Sequence, residues 1–416
     1  MKRNLLKQMG NEWRENIWLV LELFVVLIAI WFLSAMTYHL VSVYTAPRGF
    51  NPEDVYVLDV NQMNEKSPRF TDFGEEAKAR NGEDLLALLN RVRRSPNVEA
   101  AGASHNGCPY NYSYYGSQIM PEGDSININV NIRTVSPDVA RVLRFESLDD
   151  KTPEQHEALL NKGEFLLATY SEYDRIRDPR KLMGHPFHSN GDSTMTYVSH
   201  ALINNVCRSE FEERGVDRGT LIRPLFDDEV AAGEGVWEIL VRVKPGKEKA
   251  FMKEFTDSPD MRERRNVYLT LPVSLYEVRD NAHRSAVMNL RMMVGITLCL
   301  LVMVFLGLLG TFWYRIHRRE SEIAIRKVNG ATSGDILRRL LSEGMVLTAL
   351  AGVLALIAAA ICFSTDFLPD SETLDRCVMA GGVLAFGIVL IAVLAGISIP
   401  AKIAMRIEPA IALKDE

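Results

Sequence analysis

Four long, mainly apolar runs stand out along the chain, and each reaches the length of a membrane span. A helix needs about 20 predominantly apolar residues to cross the roughly 30 Å hydrocarbon layer of a bilayer. The runs predict transmembrane helices over residues 17–44, 288–314, 343–363 and 377–401. In the last two runs small residues recur every four positions, which permits close helix packing.

In the long segment between the first two runs, residues 45–287, apolar and polar residues alternate instead of forming long apolar runs. Period-two alternation with β-branched residues predicts half-buried strands, and apolar residues three or four apart predict amphipathic helices. The predicted strands are 54–60, 126–132, 163–168, 191–203 and 237–243. The predicted helices are 82–94 and 247–255. The fold class expected is therefore an α-helical transmembrane bundle of four helices with a large mixed α+β extracytoplasmic domain between helices 1 and 2.

Charge at the ends of the runs predicts which side of the membrane each connection occupies. Short cytoplasmic loops collect Lys and Arg, and residues 315–342 contain seven of them. Basic residues also precede the first run, in residues 1–16, and follow the fourth, in residues 402–416. Residues 364–376 carry four acids and one Arg. We expect both termini and the 315–342 loop in the cytoplasm, and residues 45–287 and 364–376 outside.

The first run also resembles the start of a secretory signal, since basic residues precede it. It is longer than the usual apolar core of about 7 to 15 residues, and Tyr44–Pro47 makes a poor cleavage site. We interpret it as a retained anchor. Glu22 is the one acid of this run. It lies near the start, where an interfacial structural role is favoured over a functional intramembrane acid.

Overall composition excludes some classes of protein and leaves others open. The mean hydropathy of -0.01 resembles a soluble protein only because it averages two unlike populations. A net charge of -6 argues against a nucleic-acid binder. Cys108 and Cys207 could form an exterior disulfide, which their spacing leaves open. The sequence indicates no metal site, and its scattered histidines do not support an exterior hydrolase.

A turn-rich loop at residues 106–116 holds four tyrosines. Exposed tyrosines often make binding contacts because they bury a large area with few torsions. The other interpretation, slightly favoured, is that they cover the core of their own domain. Asn111–Ser113 also fits a glycosylation pattern that arises often by chance.

The loop at residues 315–342 has a defined local pattern. Asn329–Gly330 is a helix-terminating turn, and Thr332 with Asp335 resembles a capping box. This predicts a helix, a tight turn and a second helix. The apolar stripe of the second helix, from Ile336 to Leu341, suits a helix lying along the membrane before it enters the third span. The loop could act only as a topological anchor, or it could meet a cytosolic partner.

A family resemblance favours the second interpretation. Residues 318–332, continued by 335–338, closely resemble the signature of the MacB/FtsX-like family of ABC transporter permeases. Residues 399–416 resemble the C-terminal end of that family, and residues 165–187 resemble, more weakly, its periplasmic core domain. The family layout of one span, a large exterior domain and three more spans agrees with the apolar runs.

The resemblance implies that the loop contains a coupling helix that docks on an ABC ATPase subunit. The residues implied in this coupling are Glu320, Glu322, Ile325, Arg326, Lys327, Gly330, Ala331 and Thr332. It also implies a second permease chain, identical or not, and a bacterial inner-membrane location with the large domain, 45–287, in the periplasm. A periplasmic adaptor or an outer-membrane channel is a further candidate partner.

The sequence contains no Gly-x-x-x-x-Gly-Lys-Ser/Thr run, so this chain has no P-loop of its own. We expect a non-catalytic membrane subunit that binds no cofactor itself, with ATP and Mg²⁺ on the partner ATPase. The leading hypothesis for its function is a permease subunit for export or extraction of a substrate. The alternative is an FtsX-like regulator that transmits ATPase motion to periplasmic cell-wall hydrolases, a class that usually has smaller exterior domains.

Overall fold

A computed structural model describes residues 13–45, 48–110, 115–122, 127–168, 183–189, 192–204, 219–318, 320–364 and 372–404. The chain divides into two compact units. A helical unit comprises Met1–Thr45 and Ala286–Glu416, and an exterior unit comprises Ala46–Ser285. Each is described separately below.

The helices, in chain order, are as follows: α1 Trp13–Thr45, α2 Ala77–Arg93, α3 Val139–Leu143, α4 Pro153–Asn161, α5 Asp227–Ala231, α6 Glu248–Asp257, α7 Pro259–Arg262, α8 Leu275–Arg318, α9 Glu320–Val328, α10 Ser333–Ser364 and α11 Glu372–Ala404.

The strands are β1 Val55–Gln62, β2 Val98–His105, β3 Tyr115–Pro121, β4 Ile128–Val135, β5 Phe165–Ala168, β6 Pro186–Ser189, β7 Asp192–Leu202, β8 Gly219–Pro224, β9 Glu238–Val243, β10 Glu263–Arg264, β11 Val267–Leu269 and β12 Val273–Ser274.

Four of the helices, α1, α8, α10 and α11, are long and apolar enough to cross a membrane. Their ends differ from the predicted spans. Helix α8 has 44 residues and begins inside the exterior unit, at Leu275. Helix α10 begins at Ser333, so the last ten residues of the predicted cytoplasmic loop are already helical. Apolar run length locates a span, but a helix continues wherever its backbone hydrogen bonds are not interrupted.

Within the helical unit, α1 packs closely against α11 through residues that lack bulk. A Cβ added to Gly381 would come within 2.5 Å of Ala35 Cα, and one added to Gly382 within 2.7 Å of the Trp31 ring. The Trp31 indole N–H donates to the Val378 carbonyl at 2.7 Å. On α10, Ala351 and Ala355 are buried in an apolar cluster that also contains residues of α1 and α11. Small residues thus serve as packing surfaces here.

The exterior unit is built on one sheet with the strand order β10-β11-β1-β9-β2-β4-β3-β6-β7-β5-β8. Strand β8 also pairs in parallel with β4, from Val130↔Gly219 to Val135↔Pro224. The six strands from β4 to β8 in this order therefore form a closed ring. Five buried apolar residues of these strands form one small cluster, namely Ile119, Val130, Leu167, Phe187 and Leu221. Closure removes the sheet edge on this side.

The open part of the sheet lies between two larger clusters, with β9 at its centre. All six residues of β9 are buried. Ile239, Val241 and Val243 belong to the cluster formed with α2 and α6. Leu240 belongs to the cluster on the other face, which includes α3, the start of α8 and Phe50. The alternation expected for a strand places successive β9 side chains in different clusters.

The structure contains four long apolar helices and a mixed α/β domain, which confirms this much of the expected fold class. Each predicted strand and helix of the exterior segment has a counterpart in the structure, with ends shifted by a few residues. Seven strands of the described residues were not predicted, namely β2, β3, β6, β8, β10, β11 and β12. Strand β2 reads Val-Glu-Ala-Ala-Gly-Ala-Ser-His, which is rich in residues of low strand propensity. It forms because it is buried between β9 and β4.

The loop of tyrosines covers the unit's own core, at least at Tyr110. This side chain is 4% exposed and packs edge-on against Phe50 and His283. The glycosylation motif and most residues of the weaker resemblance at 165–187 lie outside the described residues. Cys108 is buried, and Cys207 lies outside the described residues, so their pairing stays open.

Candidate coupling surface

The predicted coupling residues lie in a helical hairpin made of α9, a four-residue connection and the first turns of α10. Helix α9 ends in a Schellman motif. The N–H of Gly330 donates to the Lys327 carbonyl and that of Ala331 to the Arg326 carbonyl, both at 3.0 Å. Gly330 has φ +88°, a conformation that a residue with a Cβ adopts only at a cost. Asn329–Gly330 therefore terminates the helix as predicted.

The second helix begins with the capping box predicted from Thr332 and Asp335. The Asp335 N–H donates to Thr332 Oγ1 at 3.2 Å, and the Thr332 N–H donates to Asp335 Oδ2 at 3.1 Å. The Thr332 hydroxyl also donates to Asp335 Oδ2, at 2.6 Å. Each residue thus satisfies a backbone donor of the other, which is the reciprocal arrangement of a capping box.

One side of the hairpin is buried within the helical unit. Ile323 and Ala324 of α9 are 7% and 0% exposed, and Ile336 and Leu340 of α10 are 5% and 8% exposed. Ile323, Ile336 and Leu340 belong to one cluster with residues of the long helices. The stripe on α10 was expected to lie along a membrane surface. That expectation is wrong, because the stripe packs into the bundle and α10 continues unbroken into the third apolar segment.

The opposite side of the hairpin is exposed and partly apolar. Ile325 and Val328 are 51% and 66% exposed. Asn329, four residues after Ile325, and Thr332, four residues after Val328, are exposed as well. We call Ile325, Val328, Asn329 and Thr332 the hairpin face. An exposed pair of branched apolar residues between charged segments is typical of a contact surface.

The remaining predicted residues fall into two groups. Arg326, Lys327 and Ala331 are half-buried, beside the hairpin face. The side chains of Glu320 and Glu322 lie outside the described residues, so their roles stay predictions. Val328 was not among the predicted residues, although its place three residues after Ile325 could have identified it.

Arg318, at the end of α8, lies over the Tyr314 ring with 5.6 Å between the guanidinium carbon and the ring centroid. Among the described residues, no group of three or more His, Cys, Asp or Glu side chains could hold a metal ion. The hairpin presents an exposed apolar pair beside the half-buried Arg326 and Lys327.

Comparisons with known proteins bear on this part of the chain. Residues 294–409 match the model of the FtsX-like permease C-terminal family. This range contains α9, the hairpin face and the whole of α10 and α11. Comparison with curated proteins gave no significant match.

Among solved structures, one similar chain is the extracellular domain of the noncanonic ABC-type transporter YknZ from Gram-positive bacteria. The similarity covers 51% of the present chain and 99% of that domain, at 10% sequence identity and a TM-score of 0.31. The C-terminal match is therefore the similarity that bears on function: residues 294–409 of this chain are similar to the FtsX-like permease C-terminal domain.

Proposed function

We propose that this chain is the permease subunit of an ABC transporter and that the hairpin face docks on a separate ATPase subunit. ATP hydrolysis on that subunit would move α9, and the long helices would pass the movement to the exterior unit. Export or extraction of a substrate outside the membrane is the work that we assign to it.

The main support for this proposal is that the hairpin has one packed side and one exposed, partly apolar side. Its inner side is packed, and both of its ends are held by backbone hydrogen bonds, so Ile325 and Val328 project from a well-determined support. A loop that served only to set topology would need basic charge, but not an exposed apolar pair on a capped turn. The similarity of residues 294–409 to FtsX-like permeases supports the same function, because such permeases work with ATPase partners.

The continuity of α8 supports the second part of the proposal. Its 44 residues extend about 66 Å at the usual rise per residue. Residues of this one helix belong to both units, since the exterior unit extends to Ser285. A single helix with no break among its described residues can transmit a displacement that a flexible linker would absorb.

The test is Val328→Asp in the tagged full-length chain, purified in mild detergent with its associated proteins. We expect capture of the ATPase to fall by about tenfold, since an apolar anchor at an interface is worth about 1 to 2 kcal/mol. Ser333→Asp is the matched control. It adds the same charge five residues away, at a helix start where an acid is favourable, and should leave capture unchanged.

Equal capture by both variants would contradict the proposed docking surface. The other proteins recovered distinguish the two kinds of work. An outer-membrane channel or periplasmic adaptor favours export, whereas a cell-wall hydrolase favours the regulatory alternative.

A further inference from the structure

Both segments that connect the exterior unit to long helices end in the same apolar core. Phe50, five residues after α1, is 8% exposed, and Leu275, the first residue of α8, is fully buried. Both belong to one cluster, against which Val278 and Ala282 of α8 also pack. The entry and exit segments of the unit are therefore part of its core.

A buried arginine ties the entry segment to the centre of the sheet. Arg242 of β9 is 2% exposed. Its Nη2 donates to the Asn51 carbonyl at 2.7 Å, its Nη1 to the Glu53 carbonyl at 2.6 Å, and its Nε to the Val142 carbonyl at 2.7 Å. One rigid guanidinium thus joins the entry segment, the last turn of α3 and β9.

The acceptors of Arg242 are backbone groups. Among the described residues no carboxylate forms a salt bridge with Arg242, and Arg144, whose charge acts on it, pairs with Glu99 at 2.7 Å. Burial, and then the charge of Arg144, lower the pKa of the Arg242 guanidinium to about 10. A buried cation is costly unless its donors are satisfied, so this arrangement stabilises one backbone geometry of the entry segment.

Further backbone hydrogen bonds hold the same segment. The Asn51 N–H donates to the Leu143 carbonyl and the Glu146 N–H to the Gly49 carbonyl, both at 2.8 Å. The Val243 N–H donates to the Asp54 carbonyl at 2.9 Å, where Asp54 has φ +56°. Residues 49–54 are thus attached at both ends as well as through Arg242.

We propose that Arg242 is a positioning residue for force transmission, which locks residues 49–54 to β9 so that movement of α1 reaches the sheet without slack. This inference rests on the proposed function, since it presumes that the ATPase drives the helices. The chain offers a matched control in Arg133 of β4. It is 4% exposed and donates through Nη1 to the carbonyls of Asn106 and Cys108, at 2.8 and 3.3 Å, and neither acceptor belongs to residues 49–54.

The experiment compares the full chain with Arg242→Met and Arg133→Met, each purified with its ATPase and reconstituted in lipid nanodiscs. Backbone hydrogen exchange is measured without nucleotide and with MgATP plus vanadate. In the unmodified chain we expect nucleotide to change exchange both in α9 and in strands β1, β2 and β9. Arg242→Met should keep the change in α9 and lose it in the strands, whereas Arg133→Met should keep both.

A strand response that persists in Arg242→Met would overturn the inference. If Arg242→Met does not reach the membrane folded, a second variant tests the inference. This variant has four Gly/Ser residues inserted between Thr45 and Ala46. That variant keeps Arg242 and adds slack directly after α1. Loss of its strand response supports the inference, and persistence overturns it.

Failure of the proposed function gives a different result. In that case the unmodified chain would show no nucleotide-dependent exchange in α9 or in the strands. The two ideas can therefore fail separately.

Discussion

The two units differ in what they bury. The exterior unit encloses charged side chains, each tied by hydrogen bonds: Asp84, Arg133, Glu238 and Arg242 are between 0% and 4% exposed. The helical unit encloses many small side chains and leaves large apolar ones outside, such as Met303, Met379 and Val383 at 70% or more exposed. Glu343, 4% exposed, is the buried charged residue among the described part of this unit.

The difference follows from the surroundings that each unit is built for. In water, apolar burial drives the exterior unit together, and the polar groups that it encloses must find partners. In lipid, an exposed apolar side chain costs nothing, so helices associate by close packing at small residues. Exposure of a leucine or methionine therefore has opposite meanings in the two halves of the chain.

The largest effect expected concerns packing in the helical unit. Gly381→Leu should prevent accumulation of folded protein, because a Cβ there would lie 2.5 Å from Ala35 Cα and the backbone would have to move. We expect a cost on the order of 3 kcal/mol or more, measured as the yield of monodisperse protein in detergent. Gly387→Leu on the same helix is the control, since nothing lies within 4 Å of its Cβ position. Equal yields would show that close approach of α1 and α11 is not what holds this unit together.

The second prediction concerns a buried carboxylate of the exterior unit. Glu238 Oε1 accepts from the Ser104 hydroxyl at 2.8 Å and from the N–H groups of Cys108 and Gly107 at 3.0 and 3.1 Å. Glu238→Leu removes this shared acceptor from a buried site and should cost about 2 to 4 kcal/mol. The measurement is denaturant unfolding followed through Trp237, the single tryptophan of the exterior unit.

Glu234→Gln, at an exposed position nearby, should leave that transition unchanged. If Glu238→Leu also left the unfolding transition unchanged, the stability of the exterior unit would not depend on buried, hydrogen-bonded charges. The contrast with the helical unit would then be wrong.

The third prediction concerns acid. Burial lowers the pKa of the His156 imidazole below its usual 6.5, an effect that Asp149 opposes and Lys151 increases. The unfolded chain then binds a proton that the folded chain rejects, so stability is complete above about pH 6.5 and falls as pH decreases below it. The loss approaches 1.4 kcal/mol per pH unit. His156→Leu should remove this slope between pH 6.5 and 5.5, as measured by the same unfolding transition.

His185→Gln, at an exposed position, should retain the slope. An unchanged acid dependence in His156→Leu would mean that the buried imidazole does not limit the exterior unit.

The smallest effect concerns the hairpin. Gly330→Ala should cost about 1 kcal/mol, because alanine is disfavoured at φ +88° although no atom obstructs its Cβ. We expect faster amide exchange at Ala331, whose N–H closes the Schellman motif. Gly334→Ala, inside α10, should leave exchange at Ala331 unchanged and strengthen the helix slightly. If Gly334→Ala increased exchange at Ala331 more than Gly330→Ala did, the turn would not depend on glycine at position 330.

Local features were predictable from the sequence because their causes lie within a few residues. Gly330 ends α9 by its own backbone freedom, and Thr332 with Asp335 caps α10 across three residues. The residues that the resemblance indicated for coupling lie on this hairpin, and their coupling role stays a prediction. The prediction for the inner side of the hairpin was wrong because Ile336 and Leu340 could be buried either in a membrane surface or against other helices. An amphipathic helix shows the same spacing of apolar residues in both cases.

The sequence by itself determined that four segments suit lipid, because hydrophobic length is a property of each segment alone. It also determined most of the strands and helices of the exterior unit, where side-chain alternation is strong. Only the tertiary structure decided the parallel pairing of β4 with β8 and the placement of alanine-rich β2 between β9 and β4. It also decided the burial of Arg242 on carbonyls about 100 and 190 residues away. These contacts depend on partners that are distant in the chain. The residues adjacent in sequence do not indicate which distant segment a residue will contact.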